Sequence, residues 1–248
     1  MGITATHSIT FHRKYFSIRL VLVLFICLFS FKNSSAVTRV SVSSGNISNA
    51  TTWQPSGVPV AGDLLQIQNN HTIIVNSDIS VQSVTIDAGG SLKWLSNKKL
   101  TINNGIIVNG TAEIIDGNIE LLQNNGFFKI GATGTVIWNP ADNTTAGATI
   151  FTKGKEEFHP TSTLIINKWY NYNSVPLGSV VSGDFGNLSV TTLSNGLLFE
   201  WDQNNQFETH QILGTFTIDQ GWIVLDKSGT ISNTFINEIN LKNINSYL

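Results

Sequence analysis

The stretch Val84-Thr85-Ile86-Asp87-Ala88-Gly89-Gly90-Ser91-Leu92-Lys93-Trp94 returns 44 residues later as Phe128-Lys129-Ile130-Gly131-Ala132-Thr133-Gly134-Thr135-Val136-Ile137-Trp138. A shorter version lies midway, from Ile106 to Ile114, and a fourth runs from Phe216 to Val224. Each is a short strand, a turn holding Gly, and a second short strand. A step of about 22 residues is the length of one coil in a solenoid, where each unit buries its apolar face only against its neighbours. The spacing predicts parallel coils stacked over residues 64–240. Val84, Ile86, Phe128, Ile130, Phe216 and Ile218 hold alternating positions in the echo and are expected to point inward. No stretch after residue 36 carries a convincing helical period.

Composition supports a stacked β architecture. Charged residues are 12% of the chain, about half the usual globular share. Asn, Ser, Thr and Gly take their place, which make turns and side-chain ladders without charge. Val, Ile, Leu and Phe recur at strand spacing throughout, which excludes low-complexity disorder.

The N-terminus has the order of an export leader. His12-Arg13-Lys14 and Arg19 are basic, Leu20 to Phe31 is apolar, and Ser34-Ser35-Ala36 offers small residues for cleavage after Ala36. The apolar run is shorter than the roughly 20 residues that span a membrane. A lipid anchor at Cys27 is disfavoured, because Ile26 precedes that cysteine and the apolar run continues past it. Cleavage would remove four basic residues (Arg13, Lys14, Arg19, Lys32) and no acidic one, so fourteen basic become ten against sixteen acidic, a net charge near −6. It would also remove the single cysteine, leaving no disulfide, thiolate or cysteine–metal chemistry. With no basic patch, nucleic acid is not an expected partner. An extracellular or cell-surface location follows, with no transmembrane segment in the mature chain.

Three regions organise the rest. Residues 37–63 are expected to cap the open N-terminal end, where an uncovered core and sheet edge would invite aggregation. Trp53 is their one large apolar plate, among two prolines and two glycines of Pro55–Gly62 that forbid a helix. Residues 64–248 are expected to be the solenoid. Residues 139–163 break its rhythm and are expected to form a loop or insertion, holding the dense charge cluster Lys153, Lys155, Glu156, Glu157 and His159.

Thr52-Trp53, Gly57, Pro59, Gly62-Asp63, Ile67 and His71-Thr72 resemble the opening of G8-like domains and of many bacterial surface proteins. That resemblance implies an all-β, right-handed, single-stranded parallel β-helix. It covers about 30 residues in detail. Surface proteins of this kind often carry fibronectin-like modules and a C-terminal sorting domain. Neither pattern occurs here, which keeps open a truncated N-terminal piece of a larger protein. The histidine at the start of the first coil, here His71, is expected to bond to cap backbone.

β-Helical polysaccharide lyases, which the expected fold resembles, use Arg or Lys beside a carboxylate-bound calcium. Arg39 is the one arginine after the leader and precedes the coils, so an Arg-based elimination site on the coils is excluded. Glycoside hydrolysis needs two carboxyl groups about 5–9.5 Å apart. Glu200 and Asp202 are the best local pair, on one strand face roughly 6.5 Å apart. They also fit as solvated positions flanking inward Phe199 and Trp201. Glu113 with Asp116 is weaker. Glu156, Glu157 and His159 seldom converge on a metal when successive, and no metal or cofactor is expected. Asp87-Ala88-Gly89-Gly90 resembles a calcium-binding turn but lacks the tandem repetition. The sequons at Asn46, Asn109 and Asn187 arise readily in so Asn-rich a chain, and His210 has no partner nearby in sequence.

Aromatics favour binding over catalysis. Trp169, Tyr170 and Tyr172 place three rings beside amides, and sugars stack on flat aromatic faces. The reading is an exported, non-enzymatic interaction module whose best-suited ligand is a glycan or surface polymer. Its rivals are a carbohydrate-active enzyme and a structural stalk.

Overall fold

The computed structural model describes residues 36–95, 98–114, 117–121, 126–138, 155–167, 185–190, 198–200, 211–219, 222–224 and 235–241. They form a parallel β-solenoid. Strands Leu64–Ile67, Ile79–Ile86, Lys98–Val108, Phe127–Ile130 and Lys155–Phe158 stack in parallel as one sheet. Strands Thr72–Val75, Ser91–Trp94, Thr111–Ile114, Thr135–Trp138, Thr163–Ile166, Asn187–Val190, Gln211–Ile218 and Phe235–Leu241 stack as a second. The chain alternates between the two, so each passage through both is one coil. Among the described residues no helix is long and apolar enough to cross a membrane.

The strands follow from period-two alternation. In Ser91–Trp94 and Thr135–Trp138 every second residue is buried. Stacking aligns these residues into inward columns. Leu65, Val84, Ile106 and Phe128 make one, and Ile67, Ile86, Val108 and Ile130 the next. On the second sheet Ile73, Leu92, Ala112, Val136, Leu164, Leu188 and Phe216 line up. None of these side chains is more than 2% exposed. All six residues expected to point inward are buried.

Two expectations need correction. The fourth echo is out of phase. Phe216–Ile218 stacks on Leu188–Val190 in the second sheet, whereas Val84–Ile86 and Phe128–Ile130, which it resembles, lie in the first. Local strand–turn–strand shape recurs at more than one corner, so shape alone does not tell one face from another. The expected step of about 22 residues holds as a middle value, from which individual coils depart. Leu64 pairs with Ser83, nineteen residues on, Ser83 with Gly105, twenty-two on, and Phe127 with Lys155, twenty-eight on. Strand length is set by stacking, so the turns absorb the differences.

The expected loop at 139–163 is the second correction. Residues 139–154 lie outside the described residues, but Lys155–Phe158 is a strand paired with Phe127–Ile130. Its charge does not prevent this, since Glu157 is exposed and pairs with Lys129 at 2.9 Å while Phe158 packs against the core.

The cap is itself built on coil strands. Thr38–Ser41 pairs in parallel with Leu64–Ile67, and Gly45–Asn46 with Thr72–Val75. Trp53–Gln54 then runs antiparallel beside Thr38–Ser41 and covers that sheet's edge. Trp53 is 2% exposed, and its indole N–H donates to the Ile47 carbonyl at 3.0 Å.

The corner entering the second sheet carries a small residue in successive coils: Gly90, Gly110, Gly134, Ser162, Gly186 and Gly214. The following amide of one coil donates to the small residue's carbonyl in the coil before, as in Thr111 to Gly90 and Thr135 to Gly110, at 2.9 and 2.8 Å. A methyl group at Gly110 would overlap the carbonyl oxygens of Gly90 and Asp87. Both are backbone atoms of the neighbouring coil, so neither can swing away. Gly110→Ala is therefore expected to lose stability at the upper end of the roughly 1–3 kcal/mol typical of overpacking. Urea unfolding would measure it, and a loss below about 0.5 kcal/mol would show that the corner can spread.

Candidate functional site

The sequence-derived candidates separate sharply. Trp169, Tyr170, Tyr172 and Asp202 lie outside the described residues, as do Asp116 and His210. Glu200 ends strand Leu198–Glu200, which pairs in parallel with Trp222–Val224; only its backbone is described. The expected carboxylate pair and aromatic cluster therefore have no described side-chain geometry.

Other candidates are engaged in holding the fold. Glu113 takes Lys93 at 2.8 Å, one rung away on the outer side of the second sheet. The His159 ring bonds to Thr161 at 2.9 Å, and the Thr161 hydroxyl donates to the Ala132 carbonyl in the preceding coil. Glu157 instead faces Lys129, so it and His159 have separate partners. Among the described residues no group of three or more His, Cys, Asp or Glu is placed to hold a metal. The Asp87–Gly90 turn closes through its own backbone, and the Asp87 carboxylate accepts from Gln66 at 2.9 Å.

His71 has a partner different from the expected cap backbone. Its Nδ1 lies 2.8 Å from Ser41 Oγ, which also accepts the Gln68 amide at 2.9 Å. A serine–histidine contact has the form of an activated nucleophile. Ser41, however, is fully buried, and the Gln68 amide occupies an Oγ lone pair. A substrate has no approach to it, so the pair fastens the first coil to the second. Sequence distance hid this contact, which spans 30 positions.

Asp63, 2% exposed, is a buried charged group. Its Oδ2 accepts Arg39 Nε at 2.5 Å and the Val60 amide at 3.1 Å, and its Oδ1 accepts the Val37 amide at 3.3 Å. Arg39 Nη1 reaches on to the Pro55 carbonyl at 2.9 Å. One carboxylate thus ties together the start of the coil, its first strand and the cap loop.

The surface with the most regular chemistry is the outer side of the second sheet. Stacking brings Thr72, Ser91, Thr111, Thr135, Thr163 and Asn187 into one outward column. Beside it run Ile74, Lys93, Glu113, Ile137, Ile165 and Ser189. All twelve are partly exposed. Strand spacing sets the rungs about 4.8 Å apart. Asn187 is committed to the fold: its side chain donates to Ser162 and accepts the Thr215 amide. The strip alternates hydroxyl groups with aliphatic side chains, and its one internal charge pair, Lys93 with Glu113, is self-neutralised. No single residue's sequence context marked this strip; it exists only once the coils are in register.

Residues 52–168 match the family model of the G8 domain. No curated protein and no solved structure matches the chain.

Proposed function

We propose that this chain, which carries a G8 domain over residues 52–168, is an exported, non-enzymatic interaction module that binds an extended glycan or similar polymer outside the cell. The observation that carries this reading is the two-column strip on the second sheet. A sugar ring offers hydroxyl groups at its rim and C–H groups on its faces. The strip offers matching Thr hydroxyls and Ile side chains side by side, at Thr135 with Ile137 and Thr163 with Ile165. Sites that fix a ligand combine apolar contact with a few placed polar groups in this way. The strip repeats rung by rung, so it suits a ligand that itself repeats. Export is supported by the basic, apolar, small-residue order of residues 12–36.

The test is a glycan-array screen of residues 37–248, with release of reducing sugar followed in parallel. Binding without release is expected. Ile165→Lys, which places a charge in the middle of the strip, is expected to weaken binding about tenfold, or about 1.4 kcal/mol. Binding lost in Trp169→Ala or Tyr172→Ala but unchanged in Ile165→Lys would move the site to the aromatic cluster. Sugar release abolished by both Glu200→Gln and Asp202→Asn would overturn the reading in favour of an enzyme.

A further inference from the structure

The Asp63 clasp has an unequal division of labour between its two oxygens. Oδ2 carries the Arg39 guanidinium and the Val60 amide, whereas among the described residues Oδ1 accepts only the Val37 amide, at 3.3 Å. Val37 is held at its other end too, since its carbonyl accepts the Leu64 amide at 2.9 Å. Among the described residues it is the first held on both sides. Ala36, just before it, is exposed, and the small-residue pattern of the leader places cleavage between these two residues.

We infer that leader removal completes the N-terminal cap, by turning the Val37 amide into an α-ammonium ion that pairs with Oδ1 of the buried Asp63 carboxylate. The inference rests on the export reading above. Hydrolysis by a leader peptidase adds the hydroxyl of water to the Ala36 carbonyl carbon and a proton to the Val37 nitrogen. The resulting amine takes a further proton at neutral pH, because a free α-amino group titrates near 7.7–8.0. A neutral donor then becomes a cationic one at a position already directed at Oδ1. Charge-assisted hydrogen bonds are shorter and roughly twice as strong as neutral ones, so the long 3.3 Å contact is the one that gains. Arg39 does not compete for that oxygen, because its Nε sits on Oδ2 and its Nη1 on Pro55. The leader-bearing chain would thus fold with a looser clasp, and export would tighten it.

The experiment compares two purified forms, one beginning at Val37 and one beginning at Ser34 with natural leader residues retained. Each is made with Asp63 and with Asp63→Asn, and the N-terminus of the exported protein is read by mass spectrometry. The Val37 form is expected to melt about 2–4 °C higher than the Ser34 form, the shift that roughly one kilocalorie gives in a chain of this size. Asp63→Asn is expected to erase the difference. Should that variant not fold, acetylation of the Val37 amine replaces it and is expected to remove the same gain. Equal melting of the two wild-type forms, or a gain that survives Asp63→Asn or acetylation, overturns the inference while leaving export untouched. An exported protein that begins elsewhere than Val37 overturns it through its premise, whatever the melts show.

Discussion

Truncating Trp53 to alanine is expected to cost about 3–5 kcal/mol, the range found when a large aromatic side chain is removed from an enclosed site. The ring is 2% exposed and belongs to the core cluster. Its indole N–H is also satisfied, by the Ile47 carbonyl. Truncation therefore leaves both a cavity and an unpaired buried acceptor. Collapse cannot easily fill the space, because Trp53–Gln54 is fixed by antiparallel pairing to Thr38–Ser41. Trp94 is a useful contrast. It is just as buried, but its indole N–H has no hydrogen-bond partner among the described residues, so Trp94→Phe is expected to cost less than Trp53→Phe. Denaturant unfolding of the Trp53 variants decides the point. A loss under about 1 kcal/mol for Trp53→Ala would mean that the ring does not close the end of the stack.

Asp63→Ala is expected to be comparably damaging, again about 3–5 kcal/mol, the usual effect of removing one partner of a buried ion pair. The Arg39 side chain is 12% exposed and its Asp63 partner 3%, so the guanidinium would stay largely desolvated with no counter-charge. The amides of Val37 and Val60 would lose their acceptor as well. Adding Arg39→Met to Asp63→Ala is expected to recover about half of the loss, since no uncompensated charge then remains. A double variant as unstable as the single one would show that the backbone contacts, not the ion pair, dominate the clasp. Unfolding in urea at fixed pH measures all three.

The echo around Gly89 and Gly134 made the solenoid legible before any coordinates. Apolar alternation at Val84, Ile86, Phe128 and Ile130 is a local property, and stacking keeps whatever face alternation defines. The burial of Trp53 was legible for a related reason, as a lone large plate among turn residues where an open end needs a cover. The misassigned phase of Phe216 had a better signal available. Gly214-Thr215-Phe216-Thr217-Ile218 matches Gly134-Thr135-Val136-Ile137-Trp138 through its Gly-Thr pair, and that pair marks the second sheet because the corner there admits only a small residue. The charge of Lys155-Glu156-Glu157 concealed a strand, because an outward position such as Glu157 tolerates charge when the neighbouring rung supplies its partner, here Lys129.

What the sequence determined by itself was the class of fold and the inward faces, since both depend on period and on residues close in the chain. Register was decided only in three dimensions, because turn length varies and pairing partners lie nineteen to twenty-eight residues apart. Everything that depends on register came with it: the hydroxyl–aliphatic strip, the Ser41–His71 fastening and the Asp63 clasp. Each joins groups that are distant along the chain and unremarkable in their own segments. Such groups become neighbours only when hydrogen bonding between coils fixes which residue lies over which.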